Sequence, residues 1–145
     1  MQSRYLALTL SHDLDTRTWC AEGQDIHGEL FGVGAGTTPG AAQAALRGYV
    51  LESLLGAAAD GEDLTGDLSD EHPSGEYLAF TPQELLPIRL RMQRNRQKLR
   101  QADVATRLGL TQQAYQKLET PGANPTLATI LRLEQALGVA LLRLA

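Results

Sequence analysis

The segment from Arg100 to Glu119, RQADVATRLGLTQQAYQKLE, carries two short helical repeats with one break between them, and that break constrains the fold more than any other feature. Val104, Ala105 and Leu108 share one face of a first helix by their spacing. Gly109 then offers the left-handed position that ends it. Leu110 is the apolar residue of the turn, and Thr111 suits the N-cap of a second helix. On that helix Ala114, Tyr115 and Leu118 face inward, which leaves Gln112, Gln113, Gln116 and Lys117 outside. A glutamine amide donates and accepts at once, matching the N6/N7 edge of adenine in the major groove. The pattern predicts a helix-turn-helix that reads double-stranded operator DNA.

Charge divides the chain where the pattern changes. Residues 1–80 hold three basic and 13 acidic side chains, a net of −10; residues 81–145 hold ten and four, a net of +6. The overall pI of about 5.3 therefore averages two opposite halves. Arg89, Arg91, Arg94, Arg96, Lys98 and Arg100 lie just ahead of the motif. Such a cluster predicts phosphate contacts and an affinity that falls with salt. The same residues suit the solvated face of a helix whose inner stripe is Ile88, Leu90 or Met92, and Leu99. Gln101, Thr111, Asn124 and Thr126, at helix ends or in loops, are further phosphate candidates beside Arg94, Arg96, Lys98 and Arg100. Leu108, Leu118, Leu127, Ile130, Leu131 and Leu137 are expected in the core. Glu119 ends the reading helix, where the macrodipole disfavours an acid, so it is expected to pair with an arginine of a neighbouring helix.

The acidic half reads as strands around one helix. Leu6, Leu8 and Leu10 alternate within a strand from Tyr5 to Leu10, and His12 to Arg17 suits a hairpin turn. Thr18 to Glu22 is the second strand, with Trp19 and Ala21 on one face and Cys20 as a small core residue. A Gly-rich third strand from Glu29 to Gly34 precedes a helix capped by Thr38, with Pro39 in its first turn, that runs to about Ala59. Residues 60–75 are predicted to be a mobile loop, and Glu76 to Phe80 a fourth strand. The fold class expected is thus an α+β domain over 1–80, ordered β-β-β-α-β, followed by an all-α helix-turn-helix domain over 81–145. No run of 18 apolar residues suggests a membrane span, and the first residues lack a secretory signal. With one cysteine, no intramolecular disulfide can form, and a reducing cytoplasm is the expected compartment.

The C-terminal part resembles the Xre/Cro family of helix-turn-helix domains from Ile88 to Val139. Gln101, Ala105, Leu108-Gly109, Thr111-Gln112-Gln113, Leu118-Glu119, Gly122, Pro125 and the run Leu127 to Gly138 carry the likeness. The stretch from Thr111 to Glu119 is similar to the recognition helix of the phage 434 repressor. Two departures stand out: Arg100 where a Ser or Thr cap is usual, and Lys117 in place of a further glutamine. The target sequence is therefore not expected to be the same. The N-terminal order, with its Trp19-Cys20-Ala21 strand and the Gly36-Thr37-Thr38 lead into an Ala- and Leu-rich helix, resembles the HicB antitoxin family. That resemblance implies a partial ribonuclease-H-like sheet that binds a small basic toxin, HicA, which cleaves mRNA. It further implies repression of the protein's own operon through the C-terminal domain. A net of −10 agrees physically with a basic partner.

An enzyme is not expected. A two-metal nuclease needs carboxylates converging from strand centres, and the centre of the first strand is Leu6-Ala7-Leu8-Thr9. Asp13, Asp15, Glu22, Asp25 and Glu29 lie in turns or at strand ends, and His12, His27 and His72 are isolated. The glycines from 32 to 36 lack the lysine of a phosphate-binding loop and read as a bent or bulged strand. No cofactor and no metal are expected. The alternative is a stand-alone Xre-family repressor whose N-terminal domain senses a small ligand. Either reading needs a homodimer or tetramer presenting two recognition helices, about 34 Å apart or a multiple of it.

Overall fold

The protein is described by a computed structural model covering residues 2–141; Met1 and residues 142–145, which fall within the two expected domains, lie outside the described residues. Two compact units form. One takes residues 3–54 and 64–80; the other takes residues 55–63 and those from Thr81 onward.

The first unit is a four-stranded sheet with a helix. Its elements are β1 (Arg4–Asp13), β2 (Thr18–Gln24), β3 (Leu30–Gly36), α1 (Pro39–Ala59) as far as residue 54, and β4 (Tyr77–Phe80). The strand order is β3-β2-β1-β4, and every neighbouring pair is antiparallel. β1 and β2 run longer than their apolar alternation suggests, because β1 pairs on through Ser11↔Cys20 and His12↔Trp19 to Asp13↔Thr18, and β2 through Leu8↔Gly23 to Ala7↔Gln24. The turn then closes on Asp13, whose Oδ1 accepts the N–H of Asp15 at 2.9 Å and of Thr16 at 3.3 Å. Those bonds to the ionised form hold the Asp13 carboxyl below its usual range.

The inner face of the sheet follows the period of two. Leu6 and Leu8 of β1, Ala21 of β2, and Leu78 and Phe80 of β4 are buried, and α1 brings Ala42, Leu46, Val50 and Leu54 against the same core. Thr38 caps α1 by accepting the Ala41 N–H at 3.0 Å. Arg47 anchors α1 to β4, donating to the Ala79 carbonyl at 2.8 Å with its guanidinium 4.9 Å from the Phe80 ring centre.

Three expectations for this unit are corrected. The bulge in β3 falls at Phe31, the extra residue between the pairs Gly23↔Gly32 and Gln24↔Leu30, and the alternate glycines that follow are where the helix backbone comes closest. A Cβ at Gly34 would collide with the backbone of Ala42 and Leu46, and one at Gly32 with the Tyr49 ring. Residues 60–75 are not a bare loop. Leu64–Asp67 forms a 3₁₀ turn, Thr65 and Leu68 are buried, and Ser69 bridges Tyr5 through two backbone bonds of 2.8 and 2.9 Å. Buried Leu68 and Thr65, with the Ser69 backbone bonds, pin a segment whose composition reads as solvated. Cys20 is half-buried, paired with Ser11 and Ala35 on the face opposite Trp19 and Ala21, and so is no core residue.

The second unit is helical: α2 (Pro82–Arg96), α3 (Gln101–Leu108), α4 (Gln112–Leu118) and α5 (Leu127–Leu137). Its core joins Leu86 and Leu90 of α2, Val104, Ala105 and Leu108 of α3, Tyr115 of α4, and Ile130, Leu133 and Leu137 of α5. Each fully buried leucine contributes about 2 kcal/mol by removal of its apolar surface from water. Leu127 and Leu131 stay outside, 62% and 48% exposed. Their stripe on α5 lost to the one at Ile130, Leu133 and Leu137, since a helix with two apolar faces can bury only one against this core.

Candidate nucleic-acid interface

The reading helix is set by the turn before it. Gly109 closes α3 in the left-handed region at φ 69°. The Leu110 N–H reaches back to the Ala105 carbonyl at 2.9 Å and the Gly109 N–H to Thr106 at 3.1 Å, the paired bonds of a Schellman ending. Thr111 then caps α4 by accepting the Ala114 N–H at 3.1 Å. With Tyr115 fully buried and Ala114 and Leu118 partly so, Gln112, Gln113, Gln116 and Lys117 all lie on the exposed side.

The far end of α4 is fixed by an ion pair. Glu119 is 2% exposed, and its two carboxylate oxygens accept from Arg94 Nε at 2.7 Å and Nη2 at 2.9 Å. This is the expected arginine of a neighbouring helix. Arg91 Nε stands 3.7 Å from the same carboxylate. The bidentate bond raises the Arg94 guanidinium further above its already high pKa. Burial first, and the Glu119 carboxylate second, push the Tyr115 phenol far up, so it stays protonated. The side chains that orient α4 are thus held from inside, while its outer face stays free.

The basic cluster does not act as one surface. Arg94 also donates to the Leu99 carbonyl at 2.9 Å and to Asn95 Oδ1 at 3.3 Å, so it braces the fold and is not available as the phosphate contact its sequence position suggests. Its place on α2, three residues after Arg91, puts both on the side that meets Glu119. Arg96 is exposed but donates to the Gly61 carbonyl at 2.7 Å. Arg100, at the start of α3, is exposed and paired with Asp103 at 3.2 Å. Arginine has no acceptor, so it cannot cap the helix itself; Asp103 instead accepts the Arg100 backbone N–H at 2.8 Å. The Arg100 guanidinium, with that N–H, holds the Asp103 carboxyl below its usual range. Lys98 is exposed in the left-handed conformation at φ 56°.

The remaining candidates sit at helix starts or beside them. Gln101 is the first residue of α3 and is half-buried; Asn124 and Thr126 are exposed ahead of α5. Thr126 caps α5, accepting the Thr129 N–H at 3.2 Å. Two arginines outside the sequence reading hold carbonyls at helix ends. Arg107 Nη1 donates to Ala136 O at 2.9 Å, and Arg132 Nη2 donates to Leu108 O. Arg107, in the last turn of α3, had a visible signal in its place beside the helix's negative end; Arg132 had none.

A cationic residue in the left-handed region gives a test that separates fold from binding. Lys98→Gly is expected to raise stability by about 0.5–1 kcal/mol through relief of the backbone cost. The same change is expected to lower the salt dependence of DNA binding by about one counterion if Lys98 meets a phosphate. Thermal melts and a binding isotherm series in salt read the two effects apart.

Two helices joined by a Gly-closed turn, the second presenting polar side chains outward, define a helix-turn-helix unit. Residues 90–144 match the family model described as Helix-turn-helix. That match supports a DNA-binding transcription regulator with an Xre/Cro-like domain. No curated protein matches the chain.

Proposed function

We propose that this protein is a sequence-specific repressor that also neutralises a toxin. The observation that carries the first part is the exposed row Gln112, Gln113, Gln116 and Lys117 on a helix braced from within. Gln112 and Gln113, in the first turn of α4, read base edges in the major groove. Gln116 and Lys117 add a base or phosphate contact, and Lys98, Arg100, Gln101, Thr111, Asn124 and Thr126 hold the backbone. Two copies of the chain place one such helix in each half-site of an operator.

The second part rests on the acidic sheet unit. Residues 3–54 and 64–80 hold ten acidic and three basic side chains, a net of −7, and the β-β-β-α-β order is the one for which the HicB resemblance implies binding of a basic, RNA-cleaving toxin. Potentials of opposite sign speed and orient such an encounter.

The tests are separate. Gln112→Ala and Gln113→Ala are each expected to cost about 1–3 kcal/mol at the cognate site, with binding to unrelated DNA unchanged. A gel-shift titration on the DNA upstream of the protein's own gene measures this, and uniform loss on both DNAs would assign these residues to the backbone instead. For the toxin, the product of the adjacent open reading frame is expected to bind the full chain and to stop growth when expressed alone. A harmless or non-binding product would remove the antitoxin role and leave the repressor.

A further inference from the structure

We infer that β3 is the self-association edge of this protein: two copies pair their β3 strands antiparallel about a two-fold axis, joining two four-stranded sheets into one of eight. β3 ends the strand order, with β2 on one side and no strand on the other among the described residues. Natural proteins protect such an edge with charge, proline or brevity. β3 is seven residues long, LFGVGAG, without a charge or a proline, and its one irregularity, the extra residue Phe31, lies near its start and leaves Gly32–Gly36 regular. β4, at the other end of the sheet, has four residues.

Charge selects the occupant. The unit is strongly acidic, so most of its surface repels a second copy and favours a basic partner. From Leu30 to Leu51 there is no acid, and Arg47 is the only charged residue. This acid-free strip takes in β3 and the first half of α1. It also carries exposed apolar side chains: Leu30 at 61%, Val33 at 45% and Tyr49 at 48%.

Overlap of the regular stretch Gly32–Gly36 with its copy sets Val33 opposite itself and Gly32 opposite Gly34. The exposed Val33 side chains then meet across the two-fold axis, since paired residues share a face.

This inference goes beyond the proposed function, although a dimer is what two half-sites require. The test is sedimentation velocity on the full chain over a concentration series. A dimer is expected, and Val33→Lys is expected to weaken it by about a hundredfold, because like charges then face each other directly. An equimolar mixture of the Val33→Lys and Val33→Glu chains is expected to restore it. A monomeric wild-type chain would overturn the inference. So would a dimer indifferent to Val33→Lys but broken by Leu131→Lys on α5, an outcome that leaves the DNA-reading proposal standing. If Val33→Lys fails to fold by circular dichroism, hydrogen exchange on the unaltered chain decides. Backbone amides of β3 should gain protection as concentration rises, and protection independent of concentration would overturn the pairing.

Discussion

Glu119→Ala is expected to unfold the helical unit at temperatures where the unaltered chain is intact. Arg94 is only 12% exposed at its side chain and spends two of its guanidinium nitrogens on Glu119. Removing the carboxylate leaves Nε and Nη2 of that largely buried guanidinium without their acceptors, with only Nη1 still bonded to Leu99 and Asn95. Breaking a buried pair from one side costs about 3–5 kcal/mol, a large part of the 5–15 kcal/mol typical of a whole domain. Glu119→Gln, which keeps an acceptor but loses the charge, is expected to cost less. Combining Arg94→Met with Glu119→Leu is expected to recover much of the loss, because two apolar groups need no partner. Urea melts of these chains, with Arg94→Met and Glu119→Leu each alone, close the cycle that gives the coupling. A double variant no more stable than Glu119→Ala would mean that the pair is not what holds α4. DNA binding should follow the folded fraction, since none of these side chains lies on the reading face.

The second large effect is expected at Gly34. Gly34→Val drives side-chain atoms into the backbone of Ala42 and Leu46. Backbone cannot rotate out of the way as a side chain can, so α1 must lift from the sheet. Overpacking of this kind costs about 3 kcal/mol, or on the order of 15 °C in the melting of a unit this size. Gly48→Ala supplies the contrast on the same helix: a Cβ there meets nothing within 4 Å. It is expected to stabilise the protein by about 0.5–1 kcal/mol through its helix propensity. If both variants melt like the unaltered chain, α1 does not rest on β3.

These two positions show where local pattern stops being informative. Glu119 was readable: an acid at the negative end of a short helix is costly without a partner, so its pairing with an arginine could be expected from sequence. Which arginine it would be could not. Arg91, Arg94 and Arg96 are equivalent in sequence terms, and only the angle of α2 against α4 brings Arg94 to both carboxylate oxygens. The glycines of β3 were visible too, but a strand glycine fits a bulge and a close approach equally well. The nearness of Ala42 and Leu46 decided between them.

The sequence by itself determined the helix-turn-helix, because a left-handed glycine, a threonine cap and a four-residue apolar period are local constraints that need nothing distant to act. It likewise determined the β-β-β-α-β order and the outward row of glutamines, which follow from periodicity alone. The tertiary structure alone decided the rest. It turned Arg94 from a surface charge into an internal brace, left Leu127 and Leu131 in solvent, and tied residues 64–69 to β1 through Leu68 and Ser69. Those outcomes depend on which of several competing faces finds a partner, and that competition is settled by packing between segments far apart in the chain.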